Sequence, residues 1–147
     1  MTEDKRYTSY CGLYCLDCIP SNKKLFSTIK ELENLLADLQ VGKYVEIKSK
    51  KNEIYKEYPK FIEVLQEIGK LESFAPCREG CKPNCKIREC VLNRNYEGCW
   101  ECNNHRNCEL LQPLKEIHPS LEYHLELIQK DGLENWSIKR RKHYLWE

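Results

Sequence analysis

Ten cysteines, at positions 11, 15, 18, 77, 81, 85, 90, 99, 102 and 108, constrain this 147-residue chain more than any other feature. They fall into two groups, with none between Cys18 and Cys77. An even count permits a disulfide framework. The amino terminus, MTEDKRYTSY, argues against one, because it is charged and polar and lacks the apolar stretch of a secretory signal. The chain is therefore expected in the cytoplasm, where thiols stay reduced and clustered cysteines point to metal.

The spacing carries the same message. Cys15/Cys18 and Cys99/Cys102 each enclose two residues. A tight turn over that spacing brings two thiolates onto one ion, and tetrahedral zinc takes two such pairs, or one pair and two distant ligands. Cys11, Cys15 and Cys18 need one more ligand to close a site, and Cys77 or Cys81 can supply it. A second site would draw four ligands from Cys85, Cys90, Cys99, Cys102 and Cys108. His105 could substitute there, although a histidine in such a loop is more often at the surface. Two sites of four leave two thiols over, and a spare buried cysteine behaves as a small hydrophobe. Each four-thiolate zinc carries a charge of −2, so two sites would take the formal net charge from +1 to −3. Arg78, Lys82, Lys86, Arg88, Arg94 and Arg106 lie among the ligands and would offset that locally.

Between the two groups the chain reads as helix. Leu25, Phe26, Ile29, Leu32, Leu35, Leu36 and Leu39 share one face of a helix over roughly 22–39, capped by Ser21 or Asn22 and followed by Gly42. Residues 42–53 are basic and poorly patterned, a loop or a weak helix. Tyr58, Phe61, Ile62, Leu65, Ile68 and Leu71 mark a second helix over roughly 59–72, with Pro59 in the first turn. Both apolar stripes read as core. Residues 74–85 read as loop, since Pro83 interrupts any helix there. KIRECVLNRN is a plausible short helix, YEGCWECNNHRNC is loop, and a helix with Leu110, Leu111, Leu114 and Ile117 is expected to open at Cys108. A last helix runs from about Pro119 to Lys130 and ends at Gly132. In the tail, Leu133, Trp136, Tyr144 and Trp146 are placed to dock on the body. No strand pattern is visible, so the expected fold is all-α or α-rich, a helical bundle with long irregular cysteine-rich metal-binding loops. The expectation is one domain over 1–147. Within it, 19–73 form a helical hairpin insert, 1–18 plus 74–108 the metal-binding part, and 109–147 the C-terminal helices and tail.

Composition removes several function classes. No apolar run approaches the ~20 residues of a membrane helix. With 24 Lys+Arg against 23 Asp+Glu there is no general field for nucleic acid or anionic lipid. KRRKH at 139–143 is a local exception that reads as a solvated tail rather than a nucleic-acid contact. No Gly-rich phosphate loop and no βαβ background for a redox dithiol are present, and no catalytic residue can be assigned.

Taken together, CGLYCLDC at 11–18, CREG at 77–80, CKIREC at 85–90 and GCWEC followed by Cys108 resemble the domain of unknown function 3795 family. This is a group of small prokaryotic cysteine-rich proteins regarded as metal binders. FIEVLQEIGKL, GLENW and KRRKHY resemble its longer members, so the likeness spans nearly the whole chain. The resemblance implies Cys11, Cys15, Cys18, Cys77, Cys85, Cys90, Cys99, Cys102 and Cys108 as metal ligands. Cys81 falls where glycine is expected, which makes it the spare and Cys77 the better fourth ligand of the first site. The family has no established activity.

The leading expectation is a small cytoplasmic zinc protein with two structural sites and an unknown protein partner, serving as an adaptor. Closed four-thiolate sites have no open coordination position and stabilise rather than catalyse. The alternative is an iron–sulfur protein with a redox or enzymatic role, since Cys-x3-Cys-x2-Cys at 11–18 has the spacing of a radical S-adenosylmethionine cluster loop. A chain this short and strand-poor cannot build the barrel such enzymes use.

Overall fold

A computed structural model describes residues 2–147. The protein is helical, with 62% of the described residues in α- or 3-10 helix and no strand among them. The helices are α1 (Glu3–Tyr7), α2 (Lys23–Asp38), α3 (Val41–Lys48), α4 (Tyr58–Gly69), α5 (Lys86–Asn93), α6 (Gln112–Ile117) and α7 (Leu121–Asp131), joined by short 3-10 turns. An isolated antiparallel bridge pairs Thr8 with Tyr14. The expected α-rich architecture with irregular cysteine-bearing connections is the one found. No helix among the described residues is long and apolar enough to cross a membrane.

Internal contacts divide the chain into two compact units, Asn22–Glu72 and the remainder, in which residues up to Ser21 join Ser73–Glu147. In the Asn22–Glu72 unit, α2 begins where the pattern predicts, with Asn22 Oδ1 accepting from the Leu25 amide at 2.9 Å. It ends without Gly42. Leu39 caps it, and Gln40 turns into the left-handed region at φ 52°. Gly42 lies inside α3, a helix formed by the segment whose weak pattern left loop and helix open. Pro59 occupies the first turn of α4, where its missing N–H costs no hydrogen bond. Lys23 and Glu72 pair at 3.4 Å, so α2 and α4 run antiparallel. Phe26, Ile29 and Leu65 form the buried core of this unit, with Leu36 against it.

The other unit has the larger core. Leu111, Leu121, Leu125, Ile128 and Trp136 are almost completely enclosed, with Leu13, Tyr14, Val91 and Trp100 around them. The helix expected to open at Cys108 starts later, at Gln112, because Cys108 itself ends a 3-10 turn. Gly132 closes α7 at φ 80°. The tail docks as expected through Trp136, and Tyr144 is buried too. Trp146 is exposed but stacks on Tyr144 with ring centroids 4.6 Å apart. Entry to and exit from the intervening segment are pinned to each other, the Ser73 amide donating to the Pro20 carbonyl at 2.7 Å.

Candidate metal centre

Each cysteine is presented by a turn whose backbone holds it. The Cys18 amide donates to the Cys15 carbonyl at 3.2 Å, the Cys102 amide to Cys99 at 3.1 Å, and the Gly80 amide to Cys77 at 3.2 Å. All three are 3-10 turns, and in the third Gly80, left-handed at φ 97°, stands where the others carry a second, extended cysteine. Two further turns in series, Cys102 to His105 and His105 to Cys108, bring the chain round to Cys108. Cys11 sits on a loop closed by the Ser9 and Leu13 backbones at 2.8 Å. Gly12 holds that loop at φ 89°, with the Leu125 side chain packed against its α-carbon. A methyl group there would stand 2.6 Å from Leu125 Cδ2.

All ten cysteines are free thiols. They gather into two neighbourhoods. Burial above all pushes the Cys11 thiol up to about 11, and Cys77 and Cys85 lie close enough to raise it further. Burial likewise takes Cys15 to about 12, and Cys77, Cys81 and Cys11 lie close enough to raise it further. Cys77 is raised by burial and then by Cys81 and Cys85. Cys81 is raised by burial and then by Cys18 and Cys85. Cys11, Cys15, Cys18, Cys77, Cys81 and Cys85 are thus one group. The other surrounds Cys99, whose thiol is strongly raised by burial and then by Cys11, which borders both groups, and by Cys108, Cys90 and Cys102.

The placement differs from the linear reading at two points. Cys85 stands with Cys11 and Cys77, although spacing grouped it with Cys90. Cys81, set aside as a spare, stands among the first group. His105 is buried rather than at the surface. Its Nδ1 lies 2.6 Å from Glu122 Oε1, and Lys115 Nζ lies 2.6 Å from Glu122 Oε2.

Sulfurs receive hydrogen bonds from the surrounding chain. The Cys77 amide reaches Cys15 Sγ at 3.4 Å. The Tyr144 hydroxyl, itself accepting from the Ile19 amide at 2.8 Å, reaches Cys18 Sγ at 3.8 Å. Ser9 Oγ lies 3.0 Å from Cys11 Sγ. Cations face the thiols as well: Lys82 toward Cys18, Arg88 toward Cys77 and Cys81, and Arg94 toward Cys90 and Cys102. Arg78 does something else. Its Nε donates to the Thr8 carbonyl at 2.9 Å and its Nη2 to the Glu97 carbonyl at 3.0 Å, with the guanidinium 4.8 Å from the Tyr10 ring centre. Arg106 turns away to Glu126.

The donor set suits a soft, thiophilic cation. Burial favours the protonated form of Cys11, Cys15, Cys18, Cys77, Cys81 and Cys99, so a metal ion must displace protons as it binds there, and sulfur-directed N–H and O–H groups would then bear on thiolates. As the side chains stand, no three Cys, His, Asp or Glu among the described residues converge tightly enough to grip one ion.

The basic tail is not a free surface. Lys139 pairs with Asp131 at 2.6 Å, Arg140 forks onto both Asp17 oxygens at 2.5 and 3.0 Å, and Arg141 stacks on Tyr123. His143 is buried. Lys139, Arg140, Arg141 and Lys142 are nonetheless exposed, as the solvated-tail reading expects, and their pairings add contacts between the tail and the body.

A family profile described as "Protein of unknown function (DUF3795)" matches residues 7–113. No curated protein and no solved structure matches.

Proposed function

The chain belongs to the DUF3795 family, and on that premise we propose that it is a zinc protein whose ions are structural, the metal-loaded unit serving as an adaptor for another protein. The observation that carries this reading is the gathering of ten free thiols, drawn from Cys11 to Cys108, into two neighbourhoods within one unit. Cys90, Cys99, Cys102 and Cys108 would hold one ion. Cys11, Cys15, Cys18 and Cys77 would hold the other, with Cys81 and Cys85 alongside. Bound zinc would supply charge neutralisation and cross-linking, not a reaction, because four thiolates leave no open position. This chain's own contribution is the set of 3-10 turns, the sulfur-directed donors, and Lys82, Arg88 and Arg94, which offset the surplus thiolate charge. Free thiols in this number suit the reducing cytoplasm.

One observation favours a second reading. Cys11, Cys15 and Cys18 have the spacing of a cluster-binding loop, and further thiols stand beside them to complete the ligation of an iron–sulfur cluster. Metal analysis of anaerobically purified protein separates the two. Zinc near two per chain, no visible absorption, and loss of tertiary structure on chelation are expected. Iron with acid-labile sulfide and broad absorption near ~400 nm would replace the zinc reading with the cluster. Metal-free protein that keeps its melting behaviour would refute a structural role for any metal.

A further inference from the structure

The Asn22–Glu72 unit keeps a small core and carries a second apolar face outside it. On α2, Leu25, Leu32 and Leu39 recur every seven residues, with Leu35 three beyond Leu32, and all four are exposed. On α4 and its C-terminal extension, Phe61, Val64, Ile68 and Leu71 follow the same alternation of three and four, and they too are exposed. This is the spacing of a seam that receives another helix. At 100° per residue, each stripe lies about a quarter turn from its helix's buried line, in the same rotational sense. Because α2 and α4 run antiparallel, that common sense brings both stripes to one side of the pair.

The charges of α2 say what the face meets. Lys23, Lys24 and Lys30 fill its first half, and Glu31, Glu33 and Asp38 its second. This order opposes the helix macrodipole, which favours acids at the start and bases at the end. The ramp is therefore unfavourable for α2 by itself, but it is complementary to its own reverse. Lys24, Glu31 and Asp38 also recur every seven residues and border the leucine stripe. With a two-fold axis near Leu32, Lys24 of each copy faces Asp38 of the other, and the two Glu31 side chains meet near the axis.

We infer that this face docks a second copy of the chain, α2 against α2 in antiparallel sense, with α4 beside it on each side, as a four-helix bundle. A partner of arbitrary charge would gain nothing from the ramp, whereas an inverted copy matches it at both ends.

The test uses the full, metal-loaded chain in sedimentation velocity from about 1 to 100 μM. Wild type is expected to pass from 17.6 kDa to twice that mass. Lys24→Glu and Asp38→Lys are each expected to weaken association about fivefold or more, since each turns two attractive pairs repulsive. Mixing the two single variants, or combining both changes in one chain, restores it. Far-UV circular dichroism verifies that helix content is unchanged. Glu31→Gln, which removes the like-charge contact at the axis, is expected to tighten association. A wild type that stays at 17.6 kDa throughout would overturn the inference and leave the face to a different partner. So would failure of the mixed or combined variants to recover, or weakening by Glu31→Gln.

Discussion

The indole N–H of Trp136 donates to Thr8 Oγ1 at 2.7 Å, and both residues are enclosed. The bond ties the tail to the strand-like stretch that leads into Cys11. Thr8→Val keeps the shape and removes the acceptor, leaving a buried donor unpaired. A loss of about 1–3 kcal/mol is expected in urea denaturation, with Thr8→Ser close to wild type. Equal stabilities for the valine and serine variants would show that the indole finds another partner.

Acid stability depends on two buried histidines. Burial, then His143, lowers the pKa of His124 to about 4. Burial, then His118, lowers His143 to about 4, with Asp17, Glu147 and Arg140 also facing it. The ordinary value is 6.5, so the unfolded chain takes up these protons first as pH falls. Their contribution is complete above about pH 6.5 and is lost progressively toward pH 4, at up to ~1.4 kcal/mol per pH unit for each histidine. Denaturation midpoints across that range should fall with pH. His124→Gln should flatten the slope, and an unchanged slope would remove His124 from the account.

At Gly98 the backbone is extended, and an added Cβ would stand 2.1 Å from the Trp100 ring. Trp100 is buried. Gly98→Ala is expected to cost about 1–3 kcal/mol through this overlap. Because Cys99 lies between the two residues, metal content should fall with stability, which elemental analysis of the purified variant would read.

Arg78→Lys keeps the charge and loses the planar fork. Two carbonyls, of Thr8 and Glu97, would then compete for one ammonium, and the stacking on Tyr10 would go. A loss of about 1–3 kcal/mol is expected from thermal melts. Near-wild-type behaviour of the lysine variant would mean that charge rather than shape is what the site requires.

The long amphipathic helices were legible because their apolar residues repeat at helical period, as at Phe26, Ile29 and Leu36. The boundary at Gln40 was not, since a left-handed glutamine carries no signal and Gly42 nearby is the conventional breaker. The segment that became α3 has little pattern, its order coming from packing. The thiol pairs were evident from spacing, but the placement of Cys81 and Cys85 was not, because loop folding decides which neighbourhood a cysteine enters. His105 was misplaced for a similar reason. Its partner Glu122 lies on α7, and nothing near either residue in the chain announces the other.

The hydrogen bond between Ser73 and Pro20 has a consequence for synthesis. On the ribosome the first three thiols emerge well before Cys77. The chain between them is contiguous and can fold as it appears, drawing in slack that would otherwise be a long floppy tether. Once it has folded, the wait ends with a short closure rather than a search.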